Sequence, residues 1–224
     1  MLWKNYKRKM PLIFETSGKI IRHIQRCQNA DIDSHDCNLF IHFASRNIYT
    51  HRILELGSGT GLVGMLVSKL GPPSCVALTD GDEQAMSLLQ NNLQNPFNAI
   101  DSNIAKSTFL YWGNAMQPFH DWCQNSWPNV FQDSQVRFDI LVAGDVMYKK
   151  ELPGLFFQTV DSLLNKNGVL WLCHVPRSTV THQYMMKAAN DAGFTIQTHE
   201  TSSLEVTNCP KDDLVRAVVY RIKR

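Results

Sequence analysis

Three observations predict an α/β fold built on a doubly wound, mostly parallel seven-stranded sheet. From Arg52 onward, short apolar runs alternate with longer amphipathic stretches, the pattern of strands joined by helical crossovers. The first run empties into a glycine-rich turn, G-S-G-T-G from Gly57 to Gly61, directly ahead of a helical stretch. The last two strand-like runs, Phe194–His199 and Leu214–Ile222, have no helix between them and so are expected to pair antiparallel at one edge.

The first strand is expected over Arg52–Leu56, and the helix behind it over about Gly61–Leu70, ended by Gly71-Pro72-Pro73. A second strand, Cys75–Thr79, stops at Asp80. Asp82 caps a helix through about Gln94, which Asn95-Pro96 terminates. A third strand is placed near Ser107–Tyr111. The stretch 113–135 carries Pro, Asn, Gln and aromatic residues and reads as a long irregular connection or short helices. Phe138–Ala143 is a buried strand ending at Gly144-Asp145. A helix near Leu152–Asn165 is closed by Asn167-Gly168, Val169–His174 is the fifth strand, and Ser178–Ala192 a helix ended by Gly193. Upstream, Thr16–Cys27 is amphipathic and Asp31–Asp36 reads as a loop. Residues 1–50 are therefore expected to be an N-terminal extension packed on the cofactor site, ahead of the main domain over 51–224.

Composition bounds the function. The chain has 224 residues, 44% of them hydrophobic and a net charge of +2, so it suits one domain with a substantial core. Basic clusters are small and terminal (Lys4, Lys7, Arg8 and Lys9; Arg221, Lys223 and Arg224), and nothing in the charge balance points to nucleic acid. The six cysteines form no C-x-x-C pair and lie at no zinc-ligand spacing with histidine, so no metal is expected. Cys75 and Cys173 fall in apolar runs, consistent with a reducing compartment; a cytoplasmic location is expected. No apolar run of 18 residues occurs, so no membrane span is expected. The basic N-terminus lacks the apolar segment of a secretory signal.

The glycine turn points to a nucleotide-like ligand. Gly57, Gly59 and Gly61 permit positive φ and remove Cβ atoms from the approach, and the following helix presents unpaired N–H groups. Gly59, Gly61 and Gly64 also satisfy G-x-G-x-x-G, the dinucleotide fingerprint, with Asp80 about 20 positions on. Glu55, two residues before the first glycine, argues against a pyrophosphate, because like charge in the strand mouth costs energy. S-adenosylmethionine has no phosphate, and its sulfonium and ammonium are cationic. Asp80 would accept hydrogen bonds from the ribose hydroxyls of either ligand. Asp145 and Tyr148, in D-V-M-Y after the fourth strand, fall where a doubly wound sheet faces its ligand. Capping the next helix is the competing role for Asp145, and packing that for Tyr148. Trp112, just beyond the third strand, is placed to stack on an adenine.

Taken together, E-L-G-S-G-T-G-L-V-G, T-D-G, L-Y-W-G and D-I-L-V-A-G-D-V-M-Y resemble the seven-β-strand protein-lysine methyltransferases (methyltransferase family 16) over about residues 12–222. The resemblance implies a Rossmann-like methyltransferase fold using S-adenosylmethionine, with Asp145 and Tyr148 as the D-x-x-Y catalytic motif. It implies that Gly57, Ser58, Gly59, Asp80, Trp112 and Gly144 bind cofactor, and Glu55 and Gly61 are counted with them as candidate cofactor-binding residues. Phe14-Glu15-Thr16-Ser17 resembles the segment that folds over the cofactor, with Phe14 in place of the family's Trp. Tyr111 stands where the family commonly has Asp. Arg177, ending L-C-H-V-P-R, is assigned no chemical role. The expected activity is transfer of a methyl group to a lysine of a protein substrate by a monomer. A small-molecule N-methyltransferase and a non-catalytic binding protein on the same fold are the alternatives. A base-directed enzyme is disfavoured, because the turn after the fourth strand, G-D-V-M-Y, lacks the proline such enzymes use there.

Overall fold

The computed structural model describes residues 50–70, 73–132, 135–199 and 218–224. Seven strands form one sheet: β1 (Arg52–Leu56), β2 (Cys75–Asp80), β3 (Ala105–Phe109), β4 (Phe138–Gly144), β5 (Leu164–His174), β6 (Thr195–His199) and β7 (Val218–Lys223). Their order is β3-β2-β1-β4-β5-β7-β6. The first five run parallel, whereas β7 lies antiparallel between β5 and β6. The order reverses between β1 and β4, so their C-terminal ends form the crevice at the switch point.

Among the described residues, five α-helices cover the faces: α1 (Leu62–Leu70), α2 (Glu83–Gln94), α3 (Gln117–Ser126), α4 (Leu152–Leu163) and α5 (His182–Asp191). Alternation along the strands divides the core. Ile53, Val76 and Leu78 pack with Met65 of α1 and Met86 and Leu89 of α2. Leu54, Leu56, Cys75 and Ala77 face the other way, into a layer with Phe119 of α3, Phe156 and Phe157 of α4 and Met185 of α5. Covered on both faces, β1 and β2 are mostly apolar, with Glu55 and Thr79 the buried polar exceptions.

Local chemistry sets the element ends. Asp82 caps α2 by accepting the amides of Gln84 and Ala85, and the chain turns at Asn95 before Pro96. At the far end of the sheet, Arg52 is clamped to Asp139 of β4. Its amide donates to Asp139 Oδ2 at 2.8 Å, and the guanidinium completes an ion pair at 3.4 Å. Burial pushes the Asp139 carboxyl up, but the Arg52 amide and guanidinium and the Asn165 amide outweigh it and hold it below the usual value.

Several boundaries differ from those the sequence predicts. The 113–135 connection takes one of the two forms expected of it, holding the short helix α3, anchored by buried Phe119 and Cys123. β3 begins and ends two residues early. β5 starts at Leu164 with no break at Asn167-Gly168, because a register shift opposite Phe138 and Ile140 absorbs those residues within the strand. α5 starts at His182 rather than Ser178: Arg177 N donates to Val180 O, closing a turn, and Thr181 then caps the helix. Residues 1–49, which hold nearly all of the expected N-terminal extension, lie outside the described residues. Among the described residues, no helix is long and apolar enough to cross a membrane.

Candidate active site

Parallel strands bring the C-terminal ends of β1, β2, β3 and β4 to one edge, and with them the glycine turn, Asp80, Trp112 and Gly144-Asp145. The turn is held from behind. Ser58 N donates to Thr79 O at 2.8 Å, Thr79 N donates to Ser58 Oγ at 2.9 Å, and Thr79 Oγ1 donates to Glu55 O at 2.7 Å. From the side, Asp80 Oδ2 accepts the Gly59 amide at 2.9 Å while Oδ1 accepts that of Asp82 at 3.0 Å. One carboxylate thus joins the glycine turn to the start of α2.

The glycines serve different ends. Gly57 has φ +71°, and a Cβ there would come within 2.6 Å of Val146 Cγ1 and 3.5 Å of the Trp112 ring. Gly59, at φ +54°, would meet nothing within 4 Å, and neither would Gly144. These two residues therefore border open space across the β1–β4 crevice. Gly61 and Gly64 instead face the interior. A Cβ on Gly61 would collide with Leu89, and one on Gly64 would stand 2.6 Å from both Glu55 Oε2 and Leu78 Cδ2.

Three residues assigned to the ligand from sequence point elsewhere: Gly61, packed against Leu89, and Ser58 and Glu55. Ser58 is buried, with its hydroxyl committed to the Thr79 amide. Glu55 is 4% exposed, and its Oε2 accepts the Gly64 amide at 3.0 Å. Burial, only partly offset by hydrogen bonds, pushes its pKa up to about 7. It therefore ties β1 to the first turn of α1 and presents no full charge to a ligand, so the electrostatic case against pyrophosphate fails in the form the sequence suggested. Phe14 lies outside the described residues. Trp112 is half-buried, edge-on to Phe156 at 5.0 Å between centroids, beside Gly57.

Beyond β4 the D-V-M-Y segment divides by burial. Val146 and Met147 are anchored in the core, while Asp145 and Tyr148 are exposed. Asp145 is one of three non-glycine residues at positive φ among those described, at +52°. Its amide donates to Cys173 O at 2.9 Å, and its Oδ2 accepts from Arg177 NH2 at 2.5 Å. It does not act as a side-chain cap: α4 begins after Glu151 with no such bond. Lys149 Nζ lies 5.9 Å from the Tyr148 ring centroid, and Tyr184 Oη donates to Lys150 O. Arg177 is the residue sequence reasoning missed. Its signal was a basic side chain just past β5, the neighbour of β4 at the crevice.

An open crevice at the switch point, a glycine turn tethered by an aspartate, and an aspartate and tyrosine facing out beyond β4 make up the candidate site. Residues 20–191 match the family profile described as lysine methyltransferase; the chain belongs to that family. It is 28% identical to the calmodulin-lysine N-methyltransferase of Arabidopsis thaliana over 146 residues, 64% of this chain and 43% of that protein. It is 31% identical to the EEF1A lysine methyltransferase 3 of Xenopus tropicalis, over 54% of this chain and 45% of that protein. The chain thus spans less than half the length of either relative. Among solved structures, a TehB-like S-adenosylmethionine-dependent methyltransferase from Corynebacterium glutamicum has the same fold. Its TM-score is 0.58 at 14% identity, over 94% of this chain and 99% of that one.

Proposed function

We propose that this chain is an S-adenosylmethionine-dependent methyltransferase that acts on a lysine side chain of a protein substrate. One observation carries the reading: Asp145 and Tyr148 stand exposed beyond the open backbone of Gly144 at the end of β4, on either side of Val146, which lies against Gly57 of the glycine turn. Family membership and the lysine substrates in the relatives' names support it.

The residues present fit the cofactor. Open space at Gly59 and Gly144 admits a ligand against the backbone, Asp80 offers carboxylate oxygens at the end of β2, and Trp112 offers a half-buried ring. Bound there, S-adenosylmethionine supplies an electrophilic methyl group. The chain's own work is to align the acceptor and exclude water, gains worth roughly 7–11 kcal/mol when alignment is good. A lysine amine with a pKa of about 10.4 is charged at neutral pH and must lose a proton to become a nucleophile. A bare carboxylate would oppose that loss, because it favours the ammonium. Asp145 therefore docks and orients the amine, and the proton leaves to solvent. Tyr148 walls the approach to the methyl-transfer position and offers a hydroxyl for hydrogen bonding.

The reading extends to the remainder of the molecule. Residues 1–50 would pack on the cofactor site, with Phe14 over the ligand; the family match takes in residues 20–50 of this segment. The protein would work as a monomer in the cytoplasm, where reduced Cys75 and Cys123, both buried as free thiols, would persist. The test is incubation of the purified chain with labelled S-adenosylmethionine and a cell lysate, then mass spectrometry of any labelled band. A methylated lysine is expected. Label on a small molecule alone would overturn the protein substrate, and stabilisation by NAD but not by S-adenosylhomocysteine would overturn the cofactor.

A further inference from the structure

Resting on that reading, we infer that Arg177 is a positioning residue that orients the Asp145 carboxylate and offsets its charge toward the acceptor amine. Asp145 is held at two points by one stretch of chain: its amide by Cys173 O, its Oδ2 by Arg177 NH2 at 2.5 Å. The stretch is itself anchored. Arg177 N donates to Val180 O, and Val180 is fully buried. Behind it the buried His174 ring stands edge-on to His182 at 5.1 Å, and Tyr220 Oη pairs with His182 Nδ1 at 2.8 Å. The guanidinium therefore reaches Asp145 from a fixed base.

The pair is half-open to solvent, with side chains 38% and 45% exposed. An ion pair so placed adds little to folding stability. Its consequence is for the site. An aspartate alone beside an amine holds it as the ammonium, which has no lone pair to attack with. An aspartate already paired with a guanidinium still accepts a hydrogen bond but pulls less strongly on the proton. The Arg177 contact fixes the position of Oδ2, and a lysine, one point charge on a flexible stem, would hold it less closely.

Arg177→Ala and Arg177→Lys test this in the full chain. With tritiated S-adenosylmethionine and a cell lysate, Arg177→Ala should lower the maximal methylation rate about tenfold, since misplaced site groups cost rate. Half-saturation in lysate protein should stay the same or fall, Arg177→Lys should recover part of the rate, and affinity for S-adenosylhomocysteine should be unchanged. A second measurement needs no lysate substrate: n-butylammonium chloride titrated into ¹³C-aspartate-labelled protein, followed at the Asp145 carboxylate. Arg177→Ala should bind it more tightly than the unaltered chain. Equal methylation rates, a parallel fall in rate, cofactor affinity and thermal midpoint, or unmoved butylammonium affinity would each overturn the role. If the unaltered chain labels no protein, the lysine-methyltransferase reading fails, and the butylammonium comparison still decides the Arg177 role.

Discussion

At the scale of single residues, two carboxylates, Asp145 at the crevice and Glu55 buried behind it, are used in opposite ways. Asp145 is exposed at positive φ, and the two properties can be separated. Asn and Gly tolerate the left-handed region, whereas Ala there costs roughly 1–2 kcal/mol. Asp145→Asn and Asp145→Gly should therefore keep the thermal midpoint near that of the unaltered chain, with Asp145→Ala lowest. All three should lose turnover while binding S-adenosylhomocysteine normally. If cofactor affinity fell with turnover, the docking role would be refuted. Glu55 is buried and its pKa is raised from 4.5 to about 7. A group whose folded pKa is raised contributes stability that is complete below the unfolded value and is lost as pH rises through the folded one. Urea denaturation should thus show stability falling between about pH 4.5 and 7. Glu55→Gln should flatten that slope and come out more stable above pH 7 by about 3 kcal/mol.

At the scale of elements, the glycine turn separates support from recognition. Gly59 borders open space, so Gly59→Ala should cost only about 1–2 kcal/mol through its backbone angle but weaken S-adenosylhomocysteine binding at least tenfold. Gly64 lies in α1, where a Cβ would crowd Leu78 and Glu55. Gly64→Ala should overpack the α1–sheet contact and cost about 1–3 kcal/mol, with cofactor affinity per folded molecule far less affected. Calorimetry and thermal denaturation on both variants decide it. Identical affinity losses would mean the two glycines do the same job.

At the scale of the whole molecule, the sheet is most deeply buried where the site stands on it. Ile53, Leu54, Leu56, Cys75, Val76, Ala77 and Leu78 are essentially inaccessible, whereas β3 at the edge is mostly half-exposed. Amide exchange should be slowest in β1, β2 and β4 and faster in β3 and β6. Protection spread evenly across all seven strands would contradict this. Ligand binding to the folded state alone stabilises by mass action, about 2.7 kcal/mol at a hundred times Kd, so S-adenosylhomocysteine should raise the global exchange barrier as well as ordering its own site.

Periodicity and punctuation made much of this legible in the sequence. Apolar runs at strand length, Asp82 as a cap, Asn95-Pro96 as a stop and a glycine turn before a helix are local signals, and local physics suffices to read them. The family motifs likewise single out Asp80, Trp112, Asp145 and Tyr148, which the parallel strands bring to one edge of the sheet. What the chain could not show by itself was direction and partnership. Whether Glu55 and Ser58 face a ligand or the interior depends on what β2 and α1 place against them. Whether Arg177 is an idle surface charge or the partner of Asp145 depends on β5 lying beside β4, and these two residues are 32 positions apart. A carboxylate's charge and aim are set by its neighbours, and only the folded sheet assigns those.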